Sequence, residues 1–79
     1  MVYCNYIDND KDSATYAFGA LASDITGQIV FFFKSDEIEI IKVPEGDMAP
    51  KRHIDRLYLR EKENFLNGVF RKKIAYETV

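Results

Sequence analysis

Cysteine is almost missing from this chain: Cys4 stands alone among 79 residues. An intrachain disulfide is therefore excluded. His53 is the single histidine, so one Cys and one His cannot make a zinc site by themselves. Tryptophan is absent, and there are only two prolines and four glycines. No Pro- or Ser-rich linker, internal repeat or low-complexity run divides the chain, which reads as one domain, 1–79. No apolar stretch approaches the roughly 20 residues of a membrane span, and the start of the chain lacks the basic and apolar regions of a secretory leader. No membrane partner is expected, and a reduced, cytoplasmic location fits best. A domain this small buries only about 60–65% of its extended-chain surface. With disulfide and metal set aside, oligomerisation is the common stabiliser left.

Apolar residues are plentiful. Hydrophobic types make up 47% and aromatics 14%, far from a disordered composition. The net charge of −2 hides an asymmetry. Residues 1–47 hold nine acids against three bases (Lys11, Lys34, Lys42), and residues 48–79 hold eight bases against four acids. Such polarity steers partners or simply draws the two halves together within one fold.

The longest apolar run is Ile29-Val30-Phe31-Phe32-Phe33, with Gln28 and Lys34 at its ends. Its length and its aromatic and β-branched content predict a strand covered on both faces. Ala14–Ala22 predicts the preceding strand, with Tyr16, Phe18, Ala20 and Ala22 on one side. Ser23–Gly27 is the expected turn. Ser35-Asp36 should turn the chain again into a strand from Glu37 to Val43, and Val2–Ile7 reads as a short edge strand. Asp8–Ser13 is a polar turn. Four-residue and two-residue hairpin loops would pair Ala20 with Phe31 and Phe31 with Ile40. One apolar face then collects Phe18, Ala20, Ala22, Ile29, Phe31, Phe33, Ile38 and Ile40.

Asp47 is the expected N-cap of a helix from Met48 to Leu66, ended by Asn67-Gly68. Ile54, Leu57, Tyr58 and Phe65 form its apolar stripe. Glu61 falls on that stripe and must find a cation or a hydrogen bond. Val69–Glu77 is expected as a second short helix, although Ile74, Tyr76 and Thr78 also alternate as in a strand. The fold class is thus α+β: a three- or four-stranded antiparallel meander followed by one long helix and one short C-terminal helix on the sheet.

No stretch carries a catalytic or cofactor signature. Asp8-x-Asp10-x-Asp12 resembles the opening of a calcium loop, but Ser13 and Gly19 stand where glycine and glutamate are needed. His53, Cys4, Asp55 and Glu61 lack the spacing of a nucleophile–base pair. No enzyme, metal or cofactor is expected. What stands out is apolar surface. Leu21, Val30, Phe32 and Ile41 are expected on the second sheet face, and Leu59 and Leu66 lie to one side of the helix stripe. Together they predict a non-enzymatic interaction or regulatory module whose partner is a second copy, as a homodimer, or another protein. The alternative is a nucleic-acid-binding regulator. Arg52, Arg56 and Arg60 recur every four residues on one helix edge, and Arg71, Lys72 and Lys73 extend them.

Overall fold

The computed structural model describes residues 1–77. The elements in order are β1 (Val2–Asn9), β2 (Ala14–Gly19), β3 (Gly27–Phe32), β4 (Glu37–Lys42), α1 (Lys51–Leu66) and β5 (Lys73–Tyr76). The strands form one antiparallel sheet in the order β4-β3-β2-β1-β5, and α1 packs against one side of it. The class is α+β as expected, but with five strands and one helix.

The apolar stripe decides where α1 sits. Ile54, Leu57, Tyr58 and Phe65 are all buried. Opposite them lie Val2, Cys4, Ala14, Tyr16, Phe18, Ile29, Phe31 and Ile74. Aromatic rings fill the layer between. Phe31 stacks on Tyr58 and on Phe65 at 5.8 Å, Phe65 on Phe70 at 5.7 Å, and Tyr6 meets Tyr16 edge-on at 5.7 Å. Such pairs add directional preference to area burial.

The strand pairings differ from expectation by even displacements. Phe31 pairs with Ala14 rather than Ala20, and with Ile38 rather than Ile40. An even slip keeps each side chain on its own face, so Phe18, Ile29 and Phe31 still point at the helix. Phe33 is also buried there, although it sits in the turn. Ala20 only partly packs on the core, Ala22 is exposed, and Ile40 remains 39% exposed.

The cause of each slip is a turn held by tertiary contacts. β2 stops at Gly19 because the Asp24 carbonyl folds over it; a Cβ there would collide with that oxygen. Asp24 accepts the Gly46 amide at 2.7 Å and the Thr26 hydroxyl at 2.6 Å, and Thr26 in turn accepts the Glu45 amide at 2.7 Å. The Ala20–Thr26 loop is thereby tied to the segment before α1. The β3–β4 turn spans Phe33–Asp36, with Asp36 at φ 60°, a region Asp tolerates better than most residues. Tyr58 donates its hydroxyl to Asp36 at 2.7 Å and Lys62 pairs with it at 2.6 Å.

Asp47 does not cap the helix. The helix begins at Lys51, with Pro50 at the N-cap and no side-chain cap. A residue that precedes proline is pushed out of the helical region, which keeps Ala49 from extending α1 backwards. At the other end Gly68, at φ 77°, closes a Schellman turn: its amide reaches Phe65 O at 3.0 Å and the Val69 amide reaches Asn64 O at 2.8 Å.

The expected second helix is absent: Lys73–Tyr76 is a strand paired with β1. Two anchors set this path. Tyr16 donates to Arg71 O at 2.8 Å, and the Tyr6 amide donates to Lys72 O at 2.8 Å. Ile74 then drops into the core. Thr78 lies outside the described residues. β1 is consequently internal rather than an edge strand.

Candidate functional site

Cross-strand partners define the sheet face away from the helix. One row crosses all five strands: Lys42, Gln28, Ala17, Asn5 and Lys73. The next row on one side is Glu39, Val30, Thr15 and Asp8, followed by Glu37 and Phe32. On the other side lie Gly19, Tyr3 and Ala75. The first row thus ends in bases at both edges, and the rows on its Val30 side carry acids. Val30 and Phe32 are half-buried without any element of the described chain across them. At the β1–β5 end, Tyr3, Asn5, Lys73 and Ala75 join Ala22 and Ile25 of the folded-over loop around a groove of about 280 Å³.

The four apolar residues expected on this face do not all lie on it, and the two expected beside the helix stripe border separate grooves. Val30 and Phe32 do lie side by side on this face. Leu21, 50% exposed, is in the β2–β3 loop, bridged to Asp24. Ile41 is the extra residue of a bulge on β4, opposite the step from Gln28 to Ile29. Leu59 is on the helix layer, in a groove with Ile38, Tyr58, Asp36, Asp55 and Lys62. Leu66 borders a different groove, near Lys34, Gly68 and Phe70.

Two of the helix arginines meet Tyr76 of β5. Arg56 donates to the Tyr76 hydroxyl at 3.1 Å and the Arg60 guanidinium lies 5.9 Å from the ring centroid. That hydroxyl bond holds the Arg56 guanidinium above its usual value. Arg52 continues the row, and Lys72 and Lys73 are exposed. Arg71 is committed elsewhere. Its guanidinium grips Glu61 with both Nε, at 3.0 Å, and Nη2. Glu61 is buried on the stripe, so the cation it required is supplied from beyond the helix end. The hydrogen bonds to Glu61 raise Arg71 further above its usual value.

The remaining polar candidates are structural in their contacts. Asp10 Oδ1 accepts the amides of Asp12 and Ser13, both at 2.8 Å, making an Asx turn. Those bonds hold Asp10 below the usual carboxylate range, with the Asp12 amide the largest cause. Among the described residues no cluster could hold a metal ion. The His53 ring lies 5.3 Å from Tyr76, and its Nδ1 is 2.9 Å from the Met1 amine. Desolvation, then the Met1 ammonium and Arg52 and Arg56, hold His53 below its usual value. Burial pushes the Cys4 thiol up to about 12, so it stays a protonated, unreactive hydrophobe at neutral pH. No helix among the described residues is long and apolar enough to cross a membrane.

Comparisons with protein families, with characterised proteins and with solved structures gave no match for this chain.

Proposed function

We propose that this chain is a non-enzymatic interaction module that self-associates through the sheet face opposite the helix, with Val30 near the centre of the contact and Phe32 one row further out. The observation that carries this reading is the path of the C-terminal segment. It runs to the β1 edge instead of crossing Phe32, and the Ala20–Thr26 loop covers only the Gly19 and Tyr3 end of that face, so among the described residues no element lies over Val30 and Phe32. The pattern of rows supports a second copy as the occupant. A two-fold axis running across the strands, between the Lys42 row and the Glu39 row, sets Lys42 of each copy over Glu39 of the other. Self-complementarity of this kind is what a two-fold interface needs. Five strands at about 4.8 Å spacing, with a rise of about 3.4 Å per residue, give a patch on the order of 20 by 24 Å. Two such patches bury about 1,000 Å², the lower limit for a specific interface. A weak dimer is the expected product.

Amide chemical shifts recorded from tens of micromolar to about a millimolar test this. Thr15, Val30, Phe32 and Asn5 should move with concentration while helix amides stay put. Phe32→Glu should abolish the movement and leave the far-UV circular dichroism unchanged. Shifts confined to the helix, or none at all, overturn the reading.

A second reading, a nucleic-acid-binding regulator, rests on the helix edge Arg52, Arg56 and Arg60, of which Arg56 and Arg60 meet Tyr76 of β5, with Lys72 and Lys73 exposed in and before that strand. Mixed duplex and single-stranded oligonucleotides should then bind at low salt and dissociate steeply as salt rises. Absence of binding at low salt ends it.

A further inference from the structure

A second surface, which shares Glu37 and Glu39 with the margin of the sheet face, lies along β4. This strand pairs only with β3, so its outer backbone groups are free among the described residues. A free edge is a template for an added strand. Beside it, on the helix side, Ile38, Tyr58 and Leu59 line a groove of about 310 Å³, rimmed by Asp36, Asp55 and Lys62. The helix leaves this flank bare: Leu59 is 69% exposed and Ile40 39%. The two sides of the edge differ in chemistry. Ile38 and Ile40 lie on the helix side of the sheet, as their partners Phe31 and Ile29 do, while Glu37 and Glu39 point to the opposite face beside Phe32 and Val30.

A second β4 is a poor occupant of this edge. An antiparallel pairing must keep Ile38 and Ile40 on the groove side. Placing Ile38 against Ile40 sets Glu39 against Glu39. Placing Ile38 against Ile38 sets Glu37 against Glu39 twice. Placing Ile40 against Ile40 sets Ile38 against Lys42. Like charges directly opposite one another destabilise a strand pair, and opposite charges stabilise it. The edge therefore rejects its own copy and favours a strand whose alternate residues are basic.

We propose that the β4 edge and its groove take an added strand from another protein: an extended segment in which Lys or Arg alternates with branched apolar residues. The bases face Glu37 and Glu39, the apolar side chains enter the groove over Ile38 and Leu59, and the backbone completes the β4 hydrogen bonds. Selectivity comes from the acids, and affinity comes from the backbone and the groove.

The test uses the whole chain and two capped heptapeptides, one alternating lysine with isoleucine and the other alternating glutamate with isoleucine. Binding is read by fluorescence anisotropy and mapped by amide shifts. The lysine peptide should bind at least tenfold tighter, weaken with salt, and shift β4 and Leu59. In the Glu37→Lys, Glu39→Lys double variant the preference should reverse. Both positions are exposed, so this variant should fold, and Leu59→Asp provides a second probe, expected to weaken either peptide. Equal binding of the two peptides, shifts that avoid β4, or an unreversed preference would overturn the proposal and leave the two glutamates as guards of the edge.

Discussion

Removing the Arg71 guanidinium tests how the buried charge is stabilised. Glu61 is 3% exposed and sits among the apolar residues of the α1 stripe. Its close cation is Arg71, whose side chain is 52% exposed; among the described residues the one other hydrogen-bond partner is the Asn64 amide at 3.4 Å. Breaking a fully buried ion pair by deleting one partner costs about 3–5 kcal/mol. Half of this guanidinium is already in water, and screening reduces its worth, so Arg71→Ala should cost about 2–3 kcal/mol. A chain of this size has on the order of 4–12 kcal/mol in total, so the loss is a large share of it. The backbone bond from Tyr16 to Arg71 O survives in the alanine variant, and the measurement therefore isolates the side chain. Urea unfolding at pH 7 reads the loss as a lower midpoint at unchanged slope. Glu61→Gln, which removes the charge and keeps the shape, should cost less, about 1 kcal/mol. If Arg71→Ala unfolds within about 0.5 kcal/mol of the parent, the pair is not what holds Glu61 in place.

Gly19→Ala should lose about 2–3 kcal/mol by overpacking against the Asp24 carbonyl, and hydrogen exchange at the Gly46 amide should quicken as the Asp24 loop detaches; an unchanged rate would show that the loop is not fixed there. Cys4 should resist thiol reagents at pH 8 until the chain unfolds, and fast stoichiometric labelling of the native protein would contradict its burial. Asp36 is held below the usual carboxylate value by Lys62, then Tyr58, and Asp10 by its turn amides. Carboxylates depressed in the folded state add stability that is complete above the unfolded value of about 3.8 and is lost as pH falls through the lower folded values. Asp36→Asn with Asp10→Asn should therefore flatten the acid limb of the stability curve, and an identical limb would refute the assignment.

Much of the fold is legible because side-chain alternation is local. Phe18, Ile29 and Phe31 are assigned to the helix side by parity alone, and an even slip cannot undo that. The pairing itself is not local: it depends on Asp24 reaching Gly46 and on Tyr58 reaching Asp36, contacts that no window of sequence contains. Leu21 and Ile41 illustrate the consequence, since a longer loop takes one off the sheet and a bulge displaces the other. The C-terminal segment is too short for periodicity to separate helix from strand, and the anchors at Tyr16 and Tyr6 decide it. Glu61 is the instructive case at the level of the site. A charge on an apolar stripe signals a partner, yet its partner Arg71 looks from sequence like one more member of a basic cluster.

The central claim is that a sheet with one bare side meets a second copy of itself. Sedimentation equilibrium over a dilution series measures this directly. The account predicts an average mass that rises with concentration from one chain towards two, and a Phe32→Glu variant that stays at one. A wild-type mass fixed at a single chain up to about millimolar concentration would contradict it.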